Sequence, residues 1–387
     1  MEPIELAAVL AAVVLLASIV SVELGITVAL LELTLGVVAG NAFNLESQQW
    51  LDFVASFASI VLTFLAGMEV DPAYMRRRLE ASVGIGVVSF AGPFVVASLV
   101  SHFLLDWTLK ASLIAGTALS TTSLAVVYAV LVERGLTDVG IGKLLMSATF
   151  VTDLCTALAL SAIFIKPNIW FPVFLVVSLV LSVALPRLAP WFFGRYGDRV
   201  IEPEIKLVFA ALLLLMVLAG ASNGHAVLPA FVLGLGMSRH YQQHREEQKR
   251  LRVVAFAFLT PFFFIKGGLN VSLGAVVANL GLLAALLATK MVPKVAFILP
   301  LARWAAPRHA TFTTLLMSTG LTFGTISSLY GLNAGIIDTT QFSLLVTVVV
   351  LSAVVPTAIA ERWFLPDGDK ERQLDRRTAA AHSEEYV

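Results

Sequence analysis

A single cysteine, Cys155, stands in 387 residues, which excludes an intrachain disulfide and any metal site built from several thiolates. Charge is scarce as well. Only 13% of residues are charged, and 26 basic residues balance 26 acidic ones. A net charge of zero offers no electrostatic footprint for a nucleic-acid partner. No HExxH, GxSxG, P-loop or dinucleotide-binding motif is placed where it could do chemistry, so an enzyme is the least supported class and no cofactor is implied. The start, MEPIELAAVL, lacks the basic region of a signal peptide and is expected to remain as a first helix.

What the chain does have is apolar length: 58% of residues are hydrophobic and the mean hydropathy is +0.88. A soluble protein of this size could not hide so much apolar surface, so the fold class is an all-α membrane protein. Hydrophobic runs between polar or Gly/Pro breaks give thirteen spans, at 3–22, 24–43, 49–69, 81–104, 111–132, 142–165, 169–186, 206–221, 225–238, 253–272, 275–302, 310–330 and 342–361. The two short runs flanking Ser222-Asn223-Gly224 read equally well as a hairpin or as one bent segment on apolarity alone.

Basic residues favour the hairpin. With thirteen spans, twenty-one of the 26 lysines and arginines fall at one face, including Arg76 to Arg78, Arg195, Arg250 and Arg308. Only Lys110 and Lys166 occupy the opposite loops, and three lysines stay inside spans. This asymmetry predicts the N-terminus outside and the C-terminus in the cytoplasm; a joined 206–238 span would spoil it. The segment 239–252, RHYQQHREEQKRLR, reads as a cytoplasmic loop or one amphipathic helix on the headgroups. The charged segment 366–387 reads as a short disordered cytoplasmic tail, too small for a regulatory domain.

Two spans are rich in hydroxyls and small residues: the fifth, ASLIAGTALSTTSLAVVYAVL, and the twelfth, TFTTLLMSTGLTFGTISSLYG. Seven spans apart, they run in opposite directions, the trace expected of inverted repeats with discontinuous helices crossing near the midplane. Close helix packing through Gly, Ser and Thr explains either span alone; their matched positions favour the broken-helix reading. Broken helices expose carbonyls for a cation, tolerable only where they line a cavity.

Asp153 lies near the middle of the sixth span, where a carboxylate costs at least about 2.5–3.5 kcal/mol to insert. Thr149 and Thr156, at i−4 and i+3, share its helix face and offer oxygens to a monovalent cation, the hard-oxygen preference that a His or Cys zinc site lacks. Burial disfavours the charged carboxylate, which suits a group that takes a proton and a cation in turn. Lys290 and Lys294 form an i, i+4 pair too deep to snorkel easily, and Lys266 in PFFFIKGGLNV is the third intramembrane lysine. Glu32 faces a helix interface or a dimer contact; Glu5, Glu23, Asp52, Glu69 and Asp71 lie near span ends within reach of water; His225 reads as a cap, and Cys155 points away from Asp153.

These residues resemble the transmembrane domain of the monovalent cation:proton antiporter-2 family, the Kef- and NapA-type exchangers, over residues 24–365. The resemblance is carried by LTLGVVAGN, TFLAGMEVDP, ALSTTSLAVVYAVLVERGL, FVTDLCTALALS, FVLGLGMSR, PFFFIKGGLNVSLGAV, KVAFILPLAR, MSTGLTFGTISSLYGLNAGIID and VTVVVLSAVVPTAIAER, nine strings in order. It implies a NapA-like antiporter fold over 1–365 with interleaved dimerisation and core parts, a homodimer in the cell membrane, and elevator-type alternating access. It implies that Asp153 binds cation and proton in turn, that Thr121, Thr122 and Ser123 form the unwound crossing, and that Lys294 matches the family's lysine, with Lys290 second. The electrogenic branch carries two adjacent aspartates where this chain has Thr152 before Asp153. One titrating charge implies electroneutral exchange, and it leaves Lys266, Lys290 and Lys294 competing as the basic partner.

The leading expectation is therefore an antiporter exchanging Na⁺ or K⁺ for H⁺. A gated cation channel is the alternative, although no repeated carbonyl filter such as TVGYG appears. A sodium-coupled symporter for an organic anion held by the lysines is the third.

Overall fold

The computed structural model describes residues 2–24, 28–43, 45, 47–68, 78–137, 139–164, 168–222, 224 and 226–368, and these residues contain helices and no strand. Helices α1 (Pro3–Leu24), α2 (Val28–Phe43), α3 (Gln49–Met68) and α4 (Leu79–Phe103) open the chain. An interrupted pair follows, α5 (Leu109–Ser120) and α6 (Leu124–Glu133), and then α7 (Gly140–Phe164), α8 (Phe171–Tyr196), α9 (Pro203–Ala221) and α10 (Val227–Gln243). Helix α11 (Arg245–Val254) runs through a π-helical turn at Ala255–Leu259 into α12 (Thr260–Leu269), followed by α13 (Leu273–Ala278) and α14 (Leu280–Ala305). A second interrupted pair, α15 (Ala310–Met317) and α16 (Thr322–Asn333), precedes α17 (Thr339–Trp363). Among the described residues, nine helices are long and apolar enough to cross a membrane, and Val28–Phe43 and Leu109–Ser120 are shorter apolar helices.

Each hydrophobic run of the sequence contains a helix, and the two hydroxyl-rich runs are each broken in two. The run at 206–238 stops at Ala221 and restarts at Val227, as two helices; Asn223 and His225 lie outside the described residues. Two expectations change. The helix expected over 169–186 continues to Tyr196. The segment 239–252 is helical on both sides of a cap at His244 rather than a loop. Ion pairs explain why a strongly polar stretch holds helical order, since Arg250 reaches Asp198 and Glu202 at 3.3 Å and Glu204 at 3.7 Å. The tail expected to be disordered falls, from residue 369 onward, outside the described residues, as do Glu69, Asp71, Arg76, Arg77 and Lys166.

The chain divides into two compact units, one formed by Met1–Asp71, Ala157–Ala278 and Asp338–Ser343, the other by Pro72–Thr156, Asn279–Ile337 and Leu344–Val387. In the first unit, α2 lies so close to α12 that backbone touches backbone. A Cβ on Gly268 would meet the Leu33 carbonyl oxygen and stand 2.7 Å from the Val37 amide, and a Cβ on Gly36 would meet the Ile265 carbonyl. Leu6, Leu10, Leu51, Ile265 and Leu269 fill the core beside that contact. In the second unit, Ile85, Val127, Leu145, Ile298 and Leu316 share a core contributed by α4, α6, α7, α14 and α15.

Because no side-chain rotation relieves a clash with backbone, Gly268→Leu should separate α2 from α12 at an overpacking cost of about 1–3 kcal/mol. Thermal unfolding in detergent should show a lowered Tm for Gly268→Leu and an unchanged one for Gly281→Leu, since a Cβ at Gly281 meets nothing within 4 Å.

Candidate functional site

The site grows from the two helix interruptions of the second unit. Helix α5 stops because Thr121 turns to an extended backbone (φ −64°, ψ 153°), and Ser120 to Ser123 supply hydroxyls that compete with helical hydrogen bonding. Ser120 Oγ donates to the Thr117 carbonyl at 3.0 Å and Thr121 Oγ1 to that of Ala118 at 3.1 Å. The second interruption repeats the device: Ser318 Oγ donates to Thr314 and Thr319 Oγ1 to Leu316, both at 2.7 Å.

Each break leaves backbone groups without intrahelical partners, and the breaks supply one another. The Ser123 amide donates to the Thr319 carbonyl at 3.2 Å, and Thr122 Oγ1 donates to the Met317 carbonyl at 2.8 Å. The crossing of discontinuous helices expected from the sequence is thus a direct contact, and Thr121, Thr122 and Ser123 are all buried in it.

Two lysines of α14 complete the polar core. Lys290 Nζ donates to the Thr121 carbonyl at 3.3 Å, at the electronegative end of a half-helix. It lies against Gly320, where a Cβ would collide with the ammonium. Lys294 Nζ donates to Ser89 Oγ at 2.7 Å and to Thr122 Oγ1 at 3.0 Å, while those two hydroxyls lie 3.3 Å apart. Both lysine side chains are fully buried. Sequence reasoning missed Ser89. Its signal was the spacing of seven from Ser82 in α4, which places two buried serines on one helix face.

Asp153 sits in α7, 1% exposed, and its Oδ1 has no hydrogen-bond partner among the described residues. Lys294 is the base that acts on it electrostatically. The neighbouring threonines have their own partners. Thr152 Oγ1 donates to the carbonyls of Gly86 (3.2 Å) and Ala148 (3.1 Å), Thr156 Oγ1 to Thr152 (2.9 Å), and Thr149 Oγ1 to Met317 Sδ (3.5 Å). Each hydroxyl keeps lone pairs free to face a cation. Lys266 is in the other unit, where its Nζ meets Asp52 Oδ1 at 2.8 Å. That ion pair satisfies it and removes it from the competition for Asp153. Glu32, also in the first unit, is buried, and its Oε2 has no hydrogen-bond partner among the described residues.

The family described as sodium/hydrogen exchanger, transmembrane, matches residues 9–364. The chain is 28% identical over 255 residues to a probable Na(+)/H(+) antiporter 3 of Methanocaldococcus jannaschii, covering 63% of this chain and 65% of that one. It is 24% identical over 347 residues to the Na(+)/H(+) antiporter NhaS4 of a Synechocystis strain, covering 83% and 84%. With the Na(+)/H(+)-K(+) antiporter GerN of Bacillus cereus it shares 21% over 381 residues, covering 93% and 95%. Several relatives are longer: the chain spans 65%, 58% and 45% of the first three curated ones. Among solved structures, the sodium proton antiporter MjNhaP1 of Methanocaldococcus jannaschii superposes with a TM-score of 0.68 at 12% identity, over 93% of this chain and 97% of that one. At that identity the likeness establishes the fold.

Thr122 carries the densest polar contacts of the site, so Thr122→Val keeps the volume but strips the Met317 carbonyl and Lys294 of a partner. The expected cost is about 1–3 kcal/mol, read as a lowered Tm in detergent. Thr156→Val, which removes a bond within its own helix, should change Tm far less.

Proposed function

Because the chain belongs to the sodium/hydrogen exchanger family, we propose that it exchanges a monovalent cation, Na⁺ or K⁺, for H⁺ across the cell membrane, with Asp153 holding each in turn. The observation that carries this reading is the buried Asp153 Oδ1, which lacks a hydrogen-bond partner among the described residues, in the same unit as the crossed helix breaks. A buried carboxylate cannot stay charged without a counter-charge. A proton neutralises it covalently; a cation neutralises it through oxygen ligands, for which Thr149, Thr152, Thr156 and the break residues Thr121 to Ser123 are the candidates. The two occupants exclude each other, and that exclusion couples the fluxes. Lys294, held by Ser89 and Thr122, is the basic group that neighbours this competition.

Alternating access follows if the unit carrying Asp153 and the breaks moves as the elevator while the other unit anchors a homodimer. An N-terminus outside and a cytoplasmic C-terminus match the distribution of basic residues. Placement in the antiporter-2 branch rests on the motifs around Asp153 and the hydroxyl-rich breaks. Thr152 is neutral where an electrogenic relative has a second carboxylate, so one cation should exchange for one proton.

In proteoliposomes, Asp153→Asn should abolish dissipation of a pH gradient by Na⁺ or K⁺; exchange at wild-type rate would refute the role given to Asp153. With the pH gradient clamped, the wild-type rate should not respond to an imposed membrane potential. A rate that rises or falls with potential would refute the one-for-one stoichiometry.

A further inference from the structure

His240 and His244, at the end of α10, and Glu247, in the first turn of α11, lie at i, i+4 and i+7 across the His244 cap. One donor atom from each lies within 4.8 Å of the others. We propose that these three side chains form a binding site for a divalent first-row transition metal such as Zn²⁺, separate from the transported cation.

The chemistry of the donors supports this class. Two imidazoles and a carboxylate suit Zn²⁺, Ni²⁺ or Co²⁺, whereas Mg²⁺ and Ca²⁺ require oxygen ligands. The rings of His240 and His244 stack with centroids 4.3 Å apart and 17° between planes, which keeps the two imidazoles together; because a ligating lone pair lies in the ring plane, the His244 ring turns out of the stack to bind. Nδ1 of His244 lies 3.0 Å from the His240 carbonyl. Such a backbone bond fixes the tautomer and leaves Nε2 as the ligating atom. His240 Nε2 already faces Glu247 Oε2 at 2.7 Å, a proton held where the metal would sit. On binding, that proton leaves Nε2 and the metal takes its place between nitrogen and carboxylate.

The surroundings fix one wall and leave the other free. His240 is buried, with Phe193 packed edge-on at 5.0 Å. Glu204 stands close enough to act on the adjacent Tyr241 together with Glu247, although its charge is shared with Arg250 at 3.7 Å, so Glu247 is the carboxylate the metal would use. His244 is exposed, so its ring can close on the metal; tetrahedral donors at zinc distances stand about 3.4 Å apart. A water supplies the fourth position. The metal would clasp the end of α10 to the start of α11 across the cap, stiffening that junction.

The test uses the full chain, purified in detergent with any affinity tag removed and the metal chelated away. Titration with Zn²⁺ in a calorimeter should give one saturable equivalent, and Zn²⁺ should raise Tm. Both responses should be lost in His244→Ala, whose exposed position leaves folding intact, and weakened at least tenfold in Glu247→Gln. Substituted Co²⁺ should show visible d–d absorption of a nitrogen- and oxygen-ligated site. Absence of saturable binding, retention of full binding in both variants, or equal binding of Mg²⁺ would overturn the proposal. Loss of antiport in Asp153→Asn leaves this binding unchanged, so the two readings fail separately.

Discussion

The hydrogen bond from the Ser123 amide to the Thr319 carbonyl, 3.2 Å long, is the contact on which the polar centre of the second unit depends. Breaking a helix inside an apolar medium exposes amides and carbonyls that water cannot reach, at a cost of several kcal/mol per group. Two breaks that meet satisfy part of each other's deficit. The abundance of Ser and Thr in both segments then has one explanation: hydroxyls of Ser120, Thr121, Ser318 and Thr319 fold back on carbonyls of the preceding turn, while Thr122 bridges to the opposite break.

The lysines of α14 follow from the same constraint. Two ammonium groups four residues apart repel each other unless each faces its own source of negative charge. Lys290 faces the carbonyl end of α5 at Thr121, and Lys294 faces two hydroxyls and, through space, Asp153. Their tasks are different although their sequence context is nearly the same. One meets the carbonyl end of a half-helix; the other is held by two hydroxyls.

That difference marks the limit of what the sequence reveals. Asp153 and the two hydroxyl-rich breaks were legible because each violates the apolar rule at high energetic cost, and such violations persist only where they are used. Lys266 violated the same rule and looked equivalent. Its partner, Asp52, sits more than two hundred residues away near a helix start, where water can serve a carboxylate and its presence calls for no buried partner. Pairing at that separation leaves no periodicity to read. Ser89 was hidden for the opposite reason, since a serine in an apolar helix costs little, and its only signal was the spacing of seven from Ser82. For 239–252 the sequence leaves a loop and an amphipathic helix both open, because apolarity marks only the spans; ion pairs from Arg250 to Asp198 and Glu202 hold that polar stretch as helix.

The arrangement around Asp153 also explains how an ammonium can lie near a buried carboxylate without occupying it. An Asp–Lys pair locked in a short, fully hydrogen-bonded contact would leave the carboxylate no unsatisfied oxygen, and separating it in a buried setting would cost several kcal/mol. Ser89 and Thr122 instead hold the Lys294 ammonium by two hydrogen bonds of 2.7 and 3.0 Å, and Asp153 Oδ1 has no hydrogen-bond partner among the described residues. The lysine contributes field without occupying the oxygen. Thr122 connects this restraint to the crossing itself, because the hydroxyl that receives Lys294 also donates to the Met317 carbonyl. A shift of either half-helix therefore disturbs the two hydrogen bonds that fix the ammonium, so its position depends on the geometry of the broken helices.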